Sequence, residues 1–154
     1  MLKKISGRLL RLLTPEKETE ETEPPRMLIV DNEKSIRFSM SEYFSLHGYV
    51  VDTARELDEA ERHLQNTRYA VAILDLRLGV TQDTDGLQVI KLLHQSRPET
   101  RVVVLTAYGS AEMEDEARHH GADVFLRKPK PLSQVARIVE GLIESRARQM
   151  ERNR

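Results

Sequence analysis

The stretch Ala70-Val71-Ala72-Ile73-Leu74-Asp75 places a carboxylate directly after five consecutive apolar residues. An unbroken apolar run of this kind is typical of a strand that is buried on both faces of a parallel sheet. Because a charged group is costly inside such a strand, we expect Asp75 just beyond its end. Ligands bind at that edge of a parallel sheet. The sequence therefore predicts that Asp75 is the reactive residue of the chain.

The composition limits the class of protein. The 154 residues are 39% hydrophobic and 32% charged, which predicts one globular domain with short flanking segments. A net charge of −1 gives no electrostatic footprint for nucleic acid, so we expect no nucleic-acid partner. The absence of cysteine excludes disulfides and thiolate metal sites and fits a cytoplasmic protein. No apolar run reaches the roughly 18 residues of a membrane span.

Two segments precede the regular part of the chain. The pattern of residues 1–13 predicts a basic amphipathic helix, because apolar side chains recur at helical spacing with four basic residues between them. Such a helix could bind an anionic membrane at its inner face, enter a groove on a partner, or pack on its own domain or a second copy. Residues 14–25 contain five glutamates and three prolines and predict an acidic flexible linker.

From residue 26 to residue 148 the chain alternates between two patterns, and residues 149–154 form a polar tail. Short apolar runs predict strands, and apolar residues three or four apart predict helices. Strands that alternate with helices favour a parallel sheet covered on both faces. The predicted strands are 27–30, 49–51, 70–74, 102–105 and 123–126, and the predicted helices centre on 36–44, 57–64, 87–93, 110–120 and 132–143.

Four of the predicted strands end in polar residues that suit one site: Asp31-Asn32, Asp75, Thr106 and Lys128. In a parallel sheet these ends lie at the same edge. Carboxylate and amide oxygens suit a hard divalent cation, while a hydroxyl and an ammonium can hold phosphoryl oxygens. A carboxylate can also act as a nucleophile and form an aspartyl phosphate. The chain has no P-loop, dinucleotide fingerprint or Ser-His-Asp pattern, so the set favours a phosphoryl acceptor without a nucleotide cradle.

The segments LIVDNE, AILDLRL, DGLQVIKLL, VVLTAYGS and GADVFLRKPKPL resemble the receiver domain of two-component response regulators. The resemblance covers roughly residues 26–145. It implies an α/β fold, the flavodoxin-like doubly wound parallel sheet of five strands in the order 2-1-3-4-5, flanked by five helices. We expect a stand-alone, chemotaxis-regulator-like receiver, because the few polar residues after the last predicted helix are too few for an output domain.

The resemblance implies the chemistry at the predicted site. Asp75 would accept a phosphoryl group from the phosphohistidine of a sensor histidine kinase or a phosphotransfer protein. The Mg²⁺ ligands would be Asp31, Asn32, Asp75 and the backbone carbonyl of Arg77.

The resemblance also implies the residues that respond to the phosphoryl group. Thr106 would bond a phosphoryl oxygen, and Lys128 would pair with the phosphoryl group next to a cis peptide at Pro129. Phe125 stands at the aromatic switch position, although the sequence alone favours a core residue there. The domain would signal through an unknown downstream protein target or a phosphorelay, without a separate catalytic domain.

Two departures from the family pattern motivate an alternative function, although Asp31 and Asp75 are kept and we expect the site to remain competent. Asn32 stands where the family usually has an acid, and it could instead be only a helix N-cap. The loop after Asp75, residues 76–86, is about three residues longer than usual and lacks the usual proline. The alternative is a pseudo-receiver, a phosphorylation-independent interaction module anchored by its N-terminal helix. A flavodoxin-like domain for small molecules is disfavoured, because the chain lacks an aromatic or glycine-rich phosphate loop.

Overall fold

The computed structural model describes residues 23–78 and 85–154. The predicted helix at 1–13 and most of the acidic linker lie outside these residues. Within them, strands and helices alternate without exception. The strands are β1 (Arg26–Val30), β2 (Val50–Ala54), β3 (Val71–Leu74), β4 (Arg101–Thr106) and β5 (Val124–Arg127), and the helices are α1 (Lys34–Leu46), α2 (Leu57–Asn66), α3 (Asp85–Ser96), α4 (Ala111–His120) and α5 (Leu132–Arg152).

The five strands form one parallel sheet in the order β2-β1-β3-β4-β5, which confirms the predicted fold class. The chain leaves β1 toward one side of the sheet and returns to build the other side from β3. Val30 of β1 lies level with Leu74 of β3. The residues that follow, Asp31 and Asp75, therefore leave the sheet side by side at the point where the strand order reverses, which is where α/β sheets bind ligands.

The core lies on both faces of the sheet, since the central strands are covered by helices on each side. One layer packs α2, α3 and α4 against the sheet, with Leu64, Ile90 and Ala117 among its buried residues. The other layer packs α1 and α5 through residues such as Phe44 and Val139. All four residues of β3 are buried, as its unbroken apolar sequence predicts.

Three elements, β2, β5 and α5, have boundaries that differ from the predicted ones, and in each case polar residues lie at the boundary. β2 begins one residue later than predicted and continues through Asp52 and Thr53, because an edge strand leaves these side chains partly in solvent. β5 excludes Asp123, whose carboxylate accepts the backbone N–H of Val102 at 2.8 Å. α5 continues to Arg152, so the helix extends into residues predicted as a polar tail. None of the helices in the described ranges combines the length and the apolar composition needed to cross a bilayer.

Candidate functional site

A buried polar cluster lies at the carboxyl edge of the sheet. The structure brings together four residues that the sequence placed after four different strands. Asp31, Asp75 and Thr106 are each no more than 5% exposed. The ammonium of Lys128 lies 2.7 Å from Oδ2 of Asp31 and 3.0 Å from Oδ2 of Asp75. One contiguous site thus contains two carboxylates, one hydroxyl and one ammonium.

Asp75 is held by donors on both carboxylate oxygens. Its Oδ1 accepts a hydrogen bond from the Thr106 hydroxyl at 2.9 Å and from the backbone N–H of Arg77 at 3.2 Å. Its Oδ2 accepts from Lys128. Its own backbone N–H donates to the carbonyl of Val30 at 2.9 Å and extends the β1–β3 ladder by one residue. The carboxylate is therefore fixed in direction at the rim of the sheet.

Lys128 is positioned by the end of β5 and bridges the two carboxylates. Its backbone N–H donates to the carbonyl of Thr106 at 2.8 Å. The peptide bond to Pro129 is cis, as the resemblance implied. Burial alone would lower the pKa of Lys128, but the hydrogen bonds to Asp31 and Asp75 outweigh it and raise that pKa. The side chain is therefore a permanent cation at neutral pH.

Asp31 carries the electrostatic cost of the site. Burial raises its pKa above the ordinary value, despite the Lys128 ammonium and a hydrogen bond from the Glu33 backbone N–H at 2.9 Å. The nearby charge of Asp75 acts in the same direction as burial. Two buried carboxylates thus face one ammonium, and the site carries a net negative charge when both are ionised. A second cation bound here would relieve that charge.

The donor set fits a small oxygen-seeking cation. Asp31 and Asp75 supply carboxylates at the rim, and the backbone of Arg77 turns beside them. No group of three or more His, Cys, Asp or Glu side chains converges as a metal cage among the described residues. Mg²⁺ needs no such cage, because it keeps several waters and uses one or two carboxylates together with phosphate oxygens.

Asn32 does not cap the following helix. α1 begins at Lys34, its N-cap residue is Glu33, and no side chain caps it. The alternative of Asn32 as an N-cap is therefore wrong. The Asn32 side chain is exposed at the rim, next to Asp31, where it can offer an uncharged oxygen to a cation.

Thr106 links the carboxylate to the segment between β4 and α4. It is fully buried as the last residue of β4. Its hydroxyl donates to Asp75 and accepts the backbone N–H of Tyr108 at 3.2 Å. A change in the direction of this hydroxyl would therefore leave the Tyr108 amide without its partner. That contact connects the site to the following loop.

Phe125 is a core residue in this structure. It is 8% exposed and packs with the α2–α4 layer. A Cβ added to Gly109 would lie 2.9 Å from Cε1 of its ring, so the ring lies directly against the β4–α4 loop. The packing supports the core interpretation, and the switch role stays a prediction.

Sequence reasoning missed two contacts beside the site. The guanidinium of Arg77 lies 3.6 Å from the centroid of the half-exposed Tyr108 ring. Nothing in the spacing of the two residues signals this pair, because it depends on the shapes of two loops. The second contact is at Gly86, where a Cβ would lie only 2.5 Å from the Cα of Leu76 and 2.6 Å from the carbonyl oxygen of Asp75. The Asp85-Gly86 dipeptide was a usable signal for this close approach.

Comparison with known proteins settles the family. The family model described as the response regulator receiver domain matches residues 27–140. The chain belongs to the response regulator receiver family. The photosynthetic apparatus regulatory protein RegA of Cereibacter sphaeroides is 33% identical over 109 residues, which are 71% of this chain and 58% of RegA. The alginate biosynthesis transcriptional regulatory protein AlgB of Pseudomonas aeruginosa is 34% identical over 73% of this chain and 24% of AlgB. The receiver thus spans only part of these relatives.

Solved structures show the same fold. A CheY-like response regulator receiver domain protein from Methanospirillum hungatei superposes with a TM-score of 0.77 over 82% of this chain and 98% of that one, at 24% identity. A response regulator from Burkholderia pseudomallei superposes with a TM-score of 0.70 at 26% identity, covering 84% of this chain and 75% of the other. That structure contains a phosphorylated aspartic acid, a calcium ion and citrate.

Proposed function

We propose that Asp75 accepts a phosphoryl group from a phosphohistidine of a sensor histidine kinase or a phosphotransfer protein. The observation that carries this proposal is the placement of the Asp75 carboxylate, with the Thr106 hydroxyl at 2.9 Å and the Lys128 ammonium at 3.0 Å. A hydroxyl and an ammonium so close to the acceptor oxygens can hold the oxygens of an incoming phosphoryl group. Membership of the response regulator receiver family supports the class of donor.

The transfer is a nucleophilic displacement at phosphorus. One carboxylate oxygen of Asp75 forms a bond to phosphorus, and the bond from phosphorus to the donor's imidazole nitrogen breaks. The electron pair of that bond leaves with the imidazole, and the product is an aspartyl phosphate. Lys128 balances the charge that develops on the phosphoryl oxygens. Thr106 can turn its hydroxyl from Asp75 Oδ1 to a phosphoryl oxygen.

Asp31, Asp75 and the backbone carbonyl of Arg77 would hold Mg²⁺ in this site, with Asn32 as a neutral neighbour. The bound ion would neutralise phosphoryl oxygens and orient the donor. The excess negative charge of the Asp31–Asp75 pair supports this assignment. The phosphorylated aspartate and calcium ion in the Burkholderia pseudomallei structure show that one protein of this fold holds both groups.

The phosphoryl group would act as an electrostatic switch. The phosphorylated side chain would carry about two negative charges at neutral pH, one more than the free carboxylate, in a site that borders the β4–α4 loop. Movement of the Thr106 hydroxyl would release the Tyr108 amide and allow Phe125 to change rotamer against Gly109. The altered surface would then bind a downstream protein, or the phosphoryl group would pass on through a phosphorelay.

Labelling by a small phosphodonor tests the proposal. Acetyl phosphate is added to the full chain with Mg²⁺ or with EDTA, and intact mass measures phosphoryl incorporation. We expect one phosphoryl group per chain in the wild type and in the Asp58→Asn control, whose carboxylate is exposed on α2. We expect none in Asp75→Asn and none with EDTA.

The opposite outcome would favour the alternative function. Undiminished labelling of Asp75→Asn would contradict the assignment of the acceptor. A wild-type chain that takes up neither a phosphoryl group nor beryllofluoride in the presence of Mg²⁺ would contradict the whole proposal. It would indicate a phosphorylation-independent interaction module, which the neutral Asn32 motivates.

A further inference from the structure

The chain enters the sheet at the amino-terminal ends of the strands, opposite to the carboxyl ends where Asp75 lies. The backbone N–H of Val50 donates to the carbonyl of Pro25 at 3.0 Å, and that of Ala70 donates to the carbonyl of Arg26 at 2.9 Å. These bonds place residues 25 and 26 between the first residues of β2 and the start of β3. The preceding residues, 1–22, are therefore tethered next to Ala70.

An apolar groove lies beside this tether. It has a volume of about 300 Å³ and runs between the start of β3 and the last turns of α5. α5 has 21 residues, and its buried residues, Val135 and Val139, lie in its first half. Met150 in its last turns is 59% exposed and adjoins the apolar side chains that line the groove. The apolar walls of the groove are Tyr69, Ala70, Ile143, Ala147 and Met150.

The lining of the groove contains one basic and one acidic side chain, Arg146 and Glu99, and the end of α5 beside it is basic. Residues 145–154 contain four arginines and one glutamate. Arg146 lines the groove, and its Nε is buried without a hydrogen-bond partner among the described residues. Such an atom is costly unless an acceptor reaches the guanidinium. The tethered segment supplies acceptors, because residues 14–25 contain five glutamates and one lysine.

We propose that residues 1–13 of the same chain bind in this groove as an amphipathic helix. The apolar positions Leu2, Ile5, Leu9 and Leu12 would cover the exposed apolar wall, and the acidic linker would run past the arginines of α5. Residues 14–22 can span up to about 30 Å when extended, so the tether reaches the groove. A short tether gives an effective concentration on the order of millimolar, which favours the chain's own segment over a second copy.

Disulfide trapping in the full chain tests this docking, because the protein has no cysteine of its own. The test protein carries Leu9→Cys with Met150→Cys, and glutathione disulfide is the oxidant. One control pairs Leu9→Cys with Leu46→Cys, because Leu46 is 83% exposed and ends α1 at the same edge of the sheet. A second control pairs Arg8→Cys, on the polar side of the predicted helix, with Met150→Cys.

The proposal predicts an intramolecular disulfide in the test pair at an effective concentration at least about tenfold above either control. Adding Ala147→Glu to the test pair should lower that value several-fold, because it places a charge on the apolar wall of the groove. Equal values in the test pair and the Leu46 control would overturn the proposal. Disulfides formed mainly between two molecules would assign the groove to a second copy. A third result is an effective concentration in the controls equal to that in the test pair. If the reduced chain also sediments with phosphatidylglycerol vesicles, the segment binds a membrane instead.

Discussion

The proposed chemistry needs the carboxylates of Asp31 and Asp75, but their burial lowers the stability of the fold. Both carboxylates are almost fully buried, and they share one ammonium, that of Lys128. Burial of two like charges is costly, and such groups cluster at functional sites. The sequence located both residues, and Thr106 and Lys128, because each directly follows or ends an apolar strand. It could not locate the contact between Arg77 and Tyr108, since that contact depends on loop geometry.

Removing one of the two carboxylates should stabilise the fold. The pKa of Asp31 is higher in the folded protein than its ordinary value of 3.8, so ionisation of Asp31 disfavours the folded state. The cost is fully present above the folded-state pKa and disappears below the ordinary value. We expect Asp31→Asn to raise the free energy of unfolding by roughly 1 kcal/mol at pH 7, because Lys128 keeps Asp75 as a partner. Urea unfolding at pH 7 and at pH 4, without divalent cations, measures the difference.

The increase in the free energy of unfolding that we expect for Asp31→Asn should become smaller as the pH falls toward 4. A substitution that destabilises the protein at pH 7 would show that the Asp31–Lys128 ion pair outweighs the burial of the carboxylate. Glu144→Gln, on the exposed side of α5 and away from both ends of that helix, is the control and should change stability little at either pH.

The Thr106 hydroxyl should matter more than the Thr106 methyl group. The hydroxyl satisfies the Asp75 carboxylate and the Tyr108 amide at the same time. We expect Thr106→Ala to lower the free energy of unfolding by about 1–3 kcal/mol and to weaken beryllofluoride binding, because it leaves buried polar groups unpaired. Thr106→Ser restores the hydroxyl and should recover most of the beryllofluoride affinity. Thermal unfolding and fluorescence titration check both. Equal beryllofluoride affinity in the Ala and Ser variants would contradict a role for the hydroxyl.

At the scale of elements, the position of α3 depends on Gly86, the second residue of the helix, because this residue has no side chain. Gly86 lies so close to the backbone of Asp75 and Leu76 that a Cβ would clash with three backbone atoms within 2.7 Å. The helix therefore packs against the segment that carries the acceptor. The apolar spacing predicted that α3 exists, but only the fold shows that Gly86 lies against the backbone of Asp75.

Two glycine-to-alanine substitutions should have opposite effects. Gly86→Ala should lower the free energy of unfolding by more than about 2 kcal/mol, because neither backbone can move aside. Gly141→Ala is the matched control, since Gly141 lies inside α5 with no atom within 4 Å of its added Cβ. It should stabilise the protein by about 0.5–1 kcal/mol through helix propensity. Chemical unfolding measures both, and a loss of stability in the α5 variant would show that this part of the helix is covered.

At the scale of the whole molecule, alternation of strands and helices was enough to predict the parallel sheet, and the family resemblance supplied its strand order. Tertiary context decided the rest. β2 includes polar residues because it is an edge strand. α5 continues to Arg152 although its last turns have little apolar periodicity. The clustering of Asp31, Asp75, Thr106 and Lys128 followed from topology alone. Residues 1–13 lie outside the described residues, and disulfide trapping tests where they bind.

Mg²⁺ should stabilise the whole domain, since a ligand that binds only the folded state shifts unfolding. At about 100 times its dissociation constant the gain would be about 2.7 kcal/mol. We expect the melting temperature of the wild type to rise with MgCl₂ and to stay constant with NaCl of equal ionic strength. Asp31→Asn should lose this response even though it starts from a higher melting temperature. An equal response to Mg²⁺ in the variant would place the cation elsewhere.

The most direct test of the acceptor is to locate the phosphoryl group on the chain. Borohydride reduces an acyl phosphate to an alcohol, so an aspartyl phosphate becomes homoserine, which tandem mass spectrometry can locate. After incubation of the full chain with acetyl phosphate and Mg²⁺, we predict homoserine at position 75 and at no other aspartate. Homoserine at a different position, or a phosphorylated chain that yields none, would contradict the assignment of Asp75.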